Sequence, residues 1–473
     1  MNPKSLLFLI LLAVAVIGMW AVPGMTQTPA SAQTTNEWTL AASGDAIVAR
    51  RVNFPGDPSF DKLVQVLKQA DAAFTNLEMS VFDLREFSGF PREHGANLVG
   101  PPFVIDDLRD IGIDLFNRAN NHTIDYGIQG MVETNRLLNR YGLAHSGSGM
   151  TLEEARAPAY FDTPRGRFAL IGSSSSFISS ARASNARREV RGRPGLSALR
   201  TTTAMQVSEA TFRQLSELHR QLQPTPDRFR MPTPEGSGEI LDFFGALFKV
   251  GPNPGTPTYE MNKLDLEDIL RWVRSAKRQA DYVVVNIHAS QTGGTREEPP
   301  DFLPVFAHAA IDAGADVFIG HGPHYLRGVE IYKGKVIYYG LGNFIFHGDG
   351  TIEPRPQDMY EAHGLGPEAT TADLYTAWYE NDTVGSPVDP AQWESVIPVA
   401  RYREGEVEEI RFYPIDLGQK MGRSRRGTPR MADEVTAKRI MDRLAQLSAP
   451  FGTEISMEQN VGVWKKPSSI EQR

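Results

Sequence analysis

The chain contains no cysteine. No disulfide can form and no thiol is available for lipid attachment, so a small exported scaffold held together by staples is excluded. The chain does not need them, since 473 residues with 41% hydrophobic content give an ample core. It also lacks a basic excess: 49 Lys and Arg stand against 57 Asp and Glu, a formal charge of −8. A chain that acidic is a poor general binder of nucleic acid or anionic lipid. No internal repeat is visible, and the length allows about two or three domains.

What is present begins with residues 1–24, where Lys4 precedes an uncharged apolar run over 6–22. Pro23, Gly24 and a polar stretch lead into Ala30-Ser31-Ala32, which reads as a secretory signal cleaved after Ala32. The rival reading is an uncleaved membrane anchor, because the run is only slightly short of a spanning helix. Cleavage removes Lys4 and no acid, moving the formal charge from −8 to −9. An exported, periplasmic or cell-envelope location is the expectation. One local exception to the acidic balance is a Ser/Gly-rich stretch holding Arg182, Arg187, Arg188, Arg191, Arg193 and Arg200. Its two readings are a solvated loop and a cradle for an anionic substrate.

Strand and helix patterns alternate along most of the chain, which predicts an α/β layered domain. Strands are expected at 38–42, 72–77, 113–116, 168–171, 282–287 and 317–319. A hairpin is expected at 329–339 and a late strand at 408–413. Helices are expected at 60–70, 104–111, 127–141, 207–222, 264–280, 302–313 and 432–447. The Pro- and Gly-rich remainder of 201–262 reads as an insertion or lid, and 354–390 as loop. The resulting layout is a signal at 1–32, one domain over 33–420 and a C-terminal helical extension over 421–473.

Polar residues follow several of these apolar runs: Asp45, Glu78, Asn121 with His122, His288, and the pair His321 and His324. An α/β scaffold presents chemistry at the carboxyl edge of its sheets in this way. Asp45 is a hard anionic ligand, Glu78 can bridge two cations, and an Asn oxygen completes an oxygen-rich shell. Imidazoles then tilt the preference toward Mn, Fe or Zn over Ca, as one or two ions. His122, beside Asn121, is the chosen proton donor. Each has a bland reading: Asp45 as a turn cap, Glu78 as a solvated strand end, Asn121 and His122 as loop braces, His288 as a core histidine. His308 reads as structural. His145 and His347 either line the cleft or are bland, and His94, His219 and His363 fall outside every motif.

Gly44-Asp45, Asn76-Leu77-Glu78, Asn120-Asn121-His122 with Asp125-Tyr126-Gly127, Gly320-His321-Gly322-Pro323-His324 and Leu341-Gly342-Asn343-Phe344 resemble the motif series of the CapA family. That family is associated with poly-γ-glutamate capsule synthesis and is related to calcineurin-like metallophosphatases. The resemblance runs from about Trp38 to Phe346, with a family-like tail at Tyr413-Pro414-Ile415-Asp416-Leu417. It implies a two-sheet β-sandwich flanked by helices, in α/β/β/α layers. It implies Asp45, Glu78, Asn121, His288, His321 and His324 as metal-site residues, His122 as catalytic, and Asn120, Asp125 and Asn343 as their supports. Ile47 and Gly322 depart from it, each standing where the related enzymes often carry His. The implied function is metal-dependent hydrolysis in synthesis or processing of a cell-surface polymer, at a phosphoester or a γ-linked amide. The alternative is a non-catalytic assembly or polymer-binding component with a degraded site. Expected partners are the polymer or an anionic small-molecule substrate, and capsule-synthesis proteins in the membrane; nucleic acid is not among them.

Overall fold

Alternate residues of the central strands enter different apolar clusters, and that alternation defines the layers. In the computed structural model, which describes residues 37–52, 56–86, 90–92, 96–222, 240–348 and 356–467, the middle cluster takes Leu40, Ala42, Ala72 and Phe74 from one sheet. It takes Leu170, Val284, Ile319 and Tyr338 from the other. Ala41, Ala73 and Phe116 point the opposite way, against Leu63, Leu67, Val104, Leu108 and Leu138 of the helices Pro58–Gln69, Phe103–Asp110 and Gly127–Arg140. Ile171, Val283, Val285 and Phe318 likewise meet Ile269, Val273, Leu303 and Phe306 of Lys263–Lys277 and Phe302–Asp312. The order helix, sheet, sheet, helix is the expected layering.

The larger sheet has ten strands, running Ser456–Glu458, Val461–Lys465, Glu406–Asp416, Glu394–Arg403, Glu37–Ile47, Ala72–Leu77, Leu115–Asn117 and Ala144–Ser146. Asn343–Phe346 and Arg430–Met431 join it off this path. The six-stranded sheet runs Val329–Tyr332, Lys335–Tyr338, Val317–His321, Tyr282–His288, Gly166–Ser174 and Ala159–Thr163. The strands from Glu37 to Ser146 are mutually parallel, and so are the four central strands of the smaller sheet. Their carboxyl ends therefore gather at one edge of each sheet. Tyr282–His288 is buried at every position, as a near-continuous apolar run in a parallel sheet requires.

Three stretches depart from expectation. The insertion is not all loop: Thr201–Val207, Ile240–Phe243, Ala246–Val250 and Pro257–Met261 form a four-stranded sheet beside the helix Glu209–Leu222. Those strands are only partly buried, so they carry too few apolar residues to announce themselves. Residues 354–390 contain the helices Gln357–Ala362 and Thr371–Trp378, the second opened by a capping box of Thr370 and Asp373. The 421–473 segment holds the expected helix as Glu434–Ser448, but Val461–Lys465 then pairs with Glu406–Asp416 and extends the large sheet. Glu394–Arg403 was hidden by Pro398, a residue that argues against an inner strand. The 1–32 segment lies outside the described residues, among which no helix is long and apolar enough to cross a membrane.

Trp38 ties the two sheets together. Its ring stacks on Tyr402 of its own sheet at 4.0 Å and on Tyr282 of the other at 4.2 Å, and meets Phe168 edge-on at 5.5 Å. Replacing it by Ala should cost about 3–5 kcal/mol of unfolding free energy, read from urea denaturation. A loss under about 1 kcal/mol would show that the sheets do not depend on this contact.

Candidate metal centre

The first strand carries its functional residue at a distortion. Its pairing slips between Ala42 and Asp45 against Ala72–Leu77, and between Asp45 and Ala46 against Asn343–Phe346. Such slips re-aim a side chain at a strand end. Gly44 makes the close approach feasible, because a Cβ there would lie 2.2 Å from the Gly342 carbonyl oxygen. Asp45 N donates to that same oxygen at 2.9 Å. Asp45 then sits fully buried, its Oδ1 accepting from Asn76 Nδ2 at 2.7 Å and its Oδ2 from Gly322 N at 3.3 Å.

Asp45, Glu78 and His288 converge, each offering a ligand atom within 4.8 Å of the others. His288 Nε2 lies 3.5 Å from Glu78 Oε1, and its Nδ1 lies 3.9 Å from Asp45 Oδ1. His324 closes the other side, with Nε2 3.8 Å from Glu78 Oε1 and Nδ1 3.5 Å from Asp45 Oδ2. Its backbone is left-handed, at φ 62°, and Asn343 Oδ1 accepts from its Nδ1 at 2.8 Å. Asn343 is held in turn by donating to the Gln392 carbonyl at 2.9 Å.

His122 faces the same carboxylate, with Nε2 3.9 Å from Glu78 Oε1. Its Nδ1 donates to Asp125 Oδ2 at 2.6 Å, and that oxygen also accepts from Leu98 N at 2.7 Å. Arg92 reaches the other Asp125 oxygen at 3.2 Å. Asn120 Oδ1 accepts from His122 N at 3.1 Å while its Nδ2 donates to the Leu77 carbonyl at 2.9 Å. The His122 imidazole is thus fixed with one nitrogen on a carboxylate and the other toward the cluster.

Burial sets the electrostatics. It raises Glu78 well above the usual carboxylate range, and the charges of Asp45 and Asp125 push it further. Burial opposes ionisation of Asp45 too, but His321, His324, His288 and the Asn76 bond together hold it below its ordinary value. Burial drives His288 down to about 3, so it is a neutral imidazole at physiological pH. Both Glu78 oxygens and Asn121 Oδ1 are buried without a hydrogen-bond donor among the described residues. Carboxylate oxygens of Asp45 and Glu78 with the imidazoles of His288 and His324 beside them fit a divalent ion of the Mn, Fe or Zn type.

His321 departs from its expected role as a metal-site residue. Its Nε2 donates to the Ser43 carbonyl at 2.9 Å and its Nδ1 accepts from Asn286 Nδ2 at 2.8 Å, so neither ring nitrogen has a lone pair for a cation. It buttresses the loop that carries Asp45. The two departures from the family pattern have physical reasons. Ile47 is core, in register with Phe346. Gly322 has φ 114°, and a Cβ there would meet the Ala289 backbone at 2.8 Å, so His does not fit. His145 bonds Asn139, His308 bonds Glu330 and stacks on Tyr332, and His347 bonds Ala49 and Thr428. His94 lies outside the described residues.

Sequence reasoning assigned no role to Asn76 and Asn117 behind the cluster. Asn76 Nδ2 also lies 3.1 Å from His288 Nδ1, and Asn76 Oδ1 accepts from Asn117 at 2.7 Å and Asn120 at 3.2 Å. The signal was the two-residue spacing of Asn76 and Glu78, which puts both on one face of an extended chain. Arg118, fully buried and pushed down to about 9 by that burial, donates to the carbonyls of Leu77 and Met79 on either side of Glu78.

Residues 39–348 match the family described as bacterial capsule synthesis protein PGA_cap. The chain belongs to this family. An uncharacterized protein, y4sH of Sinorhizobium fredii (strain NBRC 101917 / NGR234), is 37% identical over 94% of this chain and 96% of its own length. The PGA biosynthesis protein CapA of Bacillus subtilis (strain 168) is 26% identical over 76% of this chain and 77% of its own. A solved NAD nucleotidase (NadN) of Haemophilus influenzae covers 87% of this chain and 62% of its own at 9% identity, with a TM-score of 0.29, too low to carry an argument.

Asn343→Ala should leave His324 unsteered and weaken divalent-metal affinity about 10–100-fold, measured by calorimetry with Mn or Zn. Unchanged affinity would remove His324 from the ligand set. His347 supplies a pH test. Burial, with Arg50 adding, holds it well below the ordinary imidazole value. The unfolded chain takes up a proton below about pH 6.5 that the folded chain refuses, so stability falls as pH drops through that region. His347→Gln should flatten this decline between about pH 7.5 and about pH 5, read as urea midpoints. Equal slopes in both proteins would reject the assignment.

Proposed function

We propose that this family member is an exported, divalent-metal-dependent hydrolase that acts on a cell-surface polymer of the poly-γ-glutamate or capsule type. The observation that carries the reading is Glu78, a buried carboxylate with no donor among the described residues, facing the His122–Asp125 pair at 3.9 Å. Asp45, Glu78, His288 and His324 would hold the ion, with Asn121 Oδ1 as a further oxygen. When bound, the ion would supply Lewis-acid polarisation of the scissile group and activation of water.

The protein's own part is proton delivery and orientation. His122 Nε2 gives a proton to the departing oxygen or nitrogen, and the attacking water returns one. Asp125, bonded to Nδ1, fixes the ring and stabilises its cationic form, while Leu98 N and Arg92 keep Asp125 in place. The same delivery serves a phosphoester or a γ-linked amide. Export is supported by the apolar 6–22 run and its small-residue site, and capsule-synthesis proteins of the membrane are the proposed partners.

A second reading, a polymer-binding assembly component without turnover, is favoured by Ile47 and Gly322, which leave the centre with fewer imidazoles than the family pattern. Metal analysis separates the two: stoichiometric transition metal supports the hydrolase, and its absence from protein purified without chelator supports the second reading. Screening metal-loaded protein on chromogenic phosphodiesters and γ-glutamyl polymers provides the activity. His122→Ala should then lower turnover by about 10²–10⁴ with metal content unchanged, and Asp125→Asn should give a smaller loss. Loss of metal in His122→Ala would make His122 a ligand rather than the acid.

A further inference from the structure

The arginine stretch folds against the edge that carries His288, and it leaves a pair of cavities there. One, of about 630 Å³, is lined by Arg182, Arg200, Lys263 and the Thr201–Thr203 run, with Glu260 as its acid, and reaches Ser175 and Gln291. The other, of about 600 Å³, shares Arg182 and Arg200 and adds Arg156, Arg187 and Arg193, with Asp265 as its acid. With Arg182 and Arg200 as shared walls, the two adjoining cavities make a basic trench on an otherwise acidic protein.

The trench is hydrogen-bonded to the metal centre's own strand end. Ser175 N donates to the His288 carbonyl at 3.0 Å. Gln291 Oε1 accepts from Ser175 Oγ and Ser176 Oγ, each at 2.9 Å, and Ser176 Oγ accepts from Ser290 N at 2.7 Å. The trench wall is thus built on the strand end that carries His288.

Not every cation is available. Arg156 and Arg200 are paired with Asp265, which the second cavity therefore already neutralises. Arg182 is different. It is half-buried, its Nε donates to the Ser179 carbonyl at 3.3 Å, and among the described residues it forms no ion pair. Lys263, exposed at the start of its helix, and Arg187 and Arg193 also form no ion pair among the described residues. Positive groups crowded together, one partly desolvated, favour a bound anion.

The geometry points to this trench as the docking groove for consecutive carboxylates of an extended polycarboxylate chain, with Arg182 as the central anchor. This rests on the polymer reading above, which selects carboxylate over phosphate. Two adjoining cavities suit a repeating anion better than a single small one, and guanidinium forks match carboxylate geometry.

The test is fluorescence-anisotropy titration of the full chain with a labelled poly-γ-glutamate oligomer, beside an inorganic polyphosphate of equal charge. Arg182→Ala should weaken oligomer binding about tenfold, Lys263→Ala should weaken it less, and added salt should weaken wild type. The rate of the metal-loaded protein on a small chromogenic phosphodiester should not change in either variant. Oligomer affinity within about twofold of wild type in both variants overturns the proposal. Equal or tighter binding of polyphosphate overturns the choice of carboxylate. Arg182-dependent binding without any hydrolysis sustains the trench and sinks the hydrolase reading; cleavage of the phosphodiester without oligomer binding does the reverse.

Discussion

Two carboxylates, Asp45 and Glu78, lie fully buried at adjoining strand ends, and the surroundings are arranged around the cost of that pair. Removing an ion from water costs on the order of several kcal/mol after relaxation, and a second like charge nearby raises it. Asp45 is compensated from within, by Asn76, the Gly322 amide and the neighbouring imidazoles. Glu78 is not: Arg118 grips the carbonyls before and after it and leaves both side-chain oxygens bare. A buried site that satisfies one anion and strands another is organised for a cation, and His288, which faces it, is kept neutral by the same burial.

The sandwich makes this affordable by drawing the two sheets' carboxyl ends together. Asp45, Glu78 and His122 belong to the large sheet, while His288 ends and His324 follows a strand of the small one, and the shared apolar interior together with polar bonds between the sheet ends fixes their separation. Asn343 shows how close the dependence runs. It pairs in register with Asp45 while its side chain steers His324, so strand pairing and ligand orientation are set by one residue. The Asn76, Asn117 and Asn120 amides do the same from behind, linking the ends of Ala72–Leu77 and Leu115–Asn117 through side-chain bonds.

Much of the layering was legible because strands buried on both faces write apolar runs, as at Tyr282–His288, and helices write a 3.6-residue stripe. What was missed lacked such contrast. The insertion's strands are half-exposed, the Thr371–Trp378 helix is short, and Pro398 interrupts a strand that the sheet nevertheless accommodates. In the site, Asp45, Glu78, His122, His288 and His324 were readable as polar residues ending apolar runs. His321 looked the same in sequence and proved different, since only the fold brings Asn286 and the Ser43 carbonyl to its two nitrogens.

By itself the sequence determined residue chemistry and periodicity: which strands are buried, where polar groups end them, and that no thiol takes part. Tertiary structure alone decided which imidazoles keep a free lone pair, and that among the described residues Glu78 has no donor and Arg182 forms no ion pair. The physical reason is that hydrogen-bond and charge satisfaction depends on partners far apart in the chain. Asp45 and Gly322, or Ser175 and His288, become neighbours only when the two sheets close on a common core.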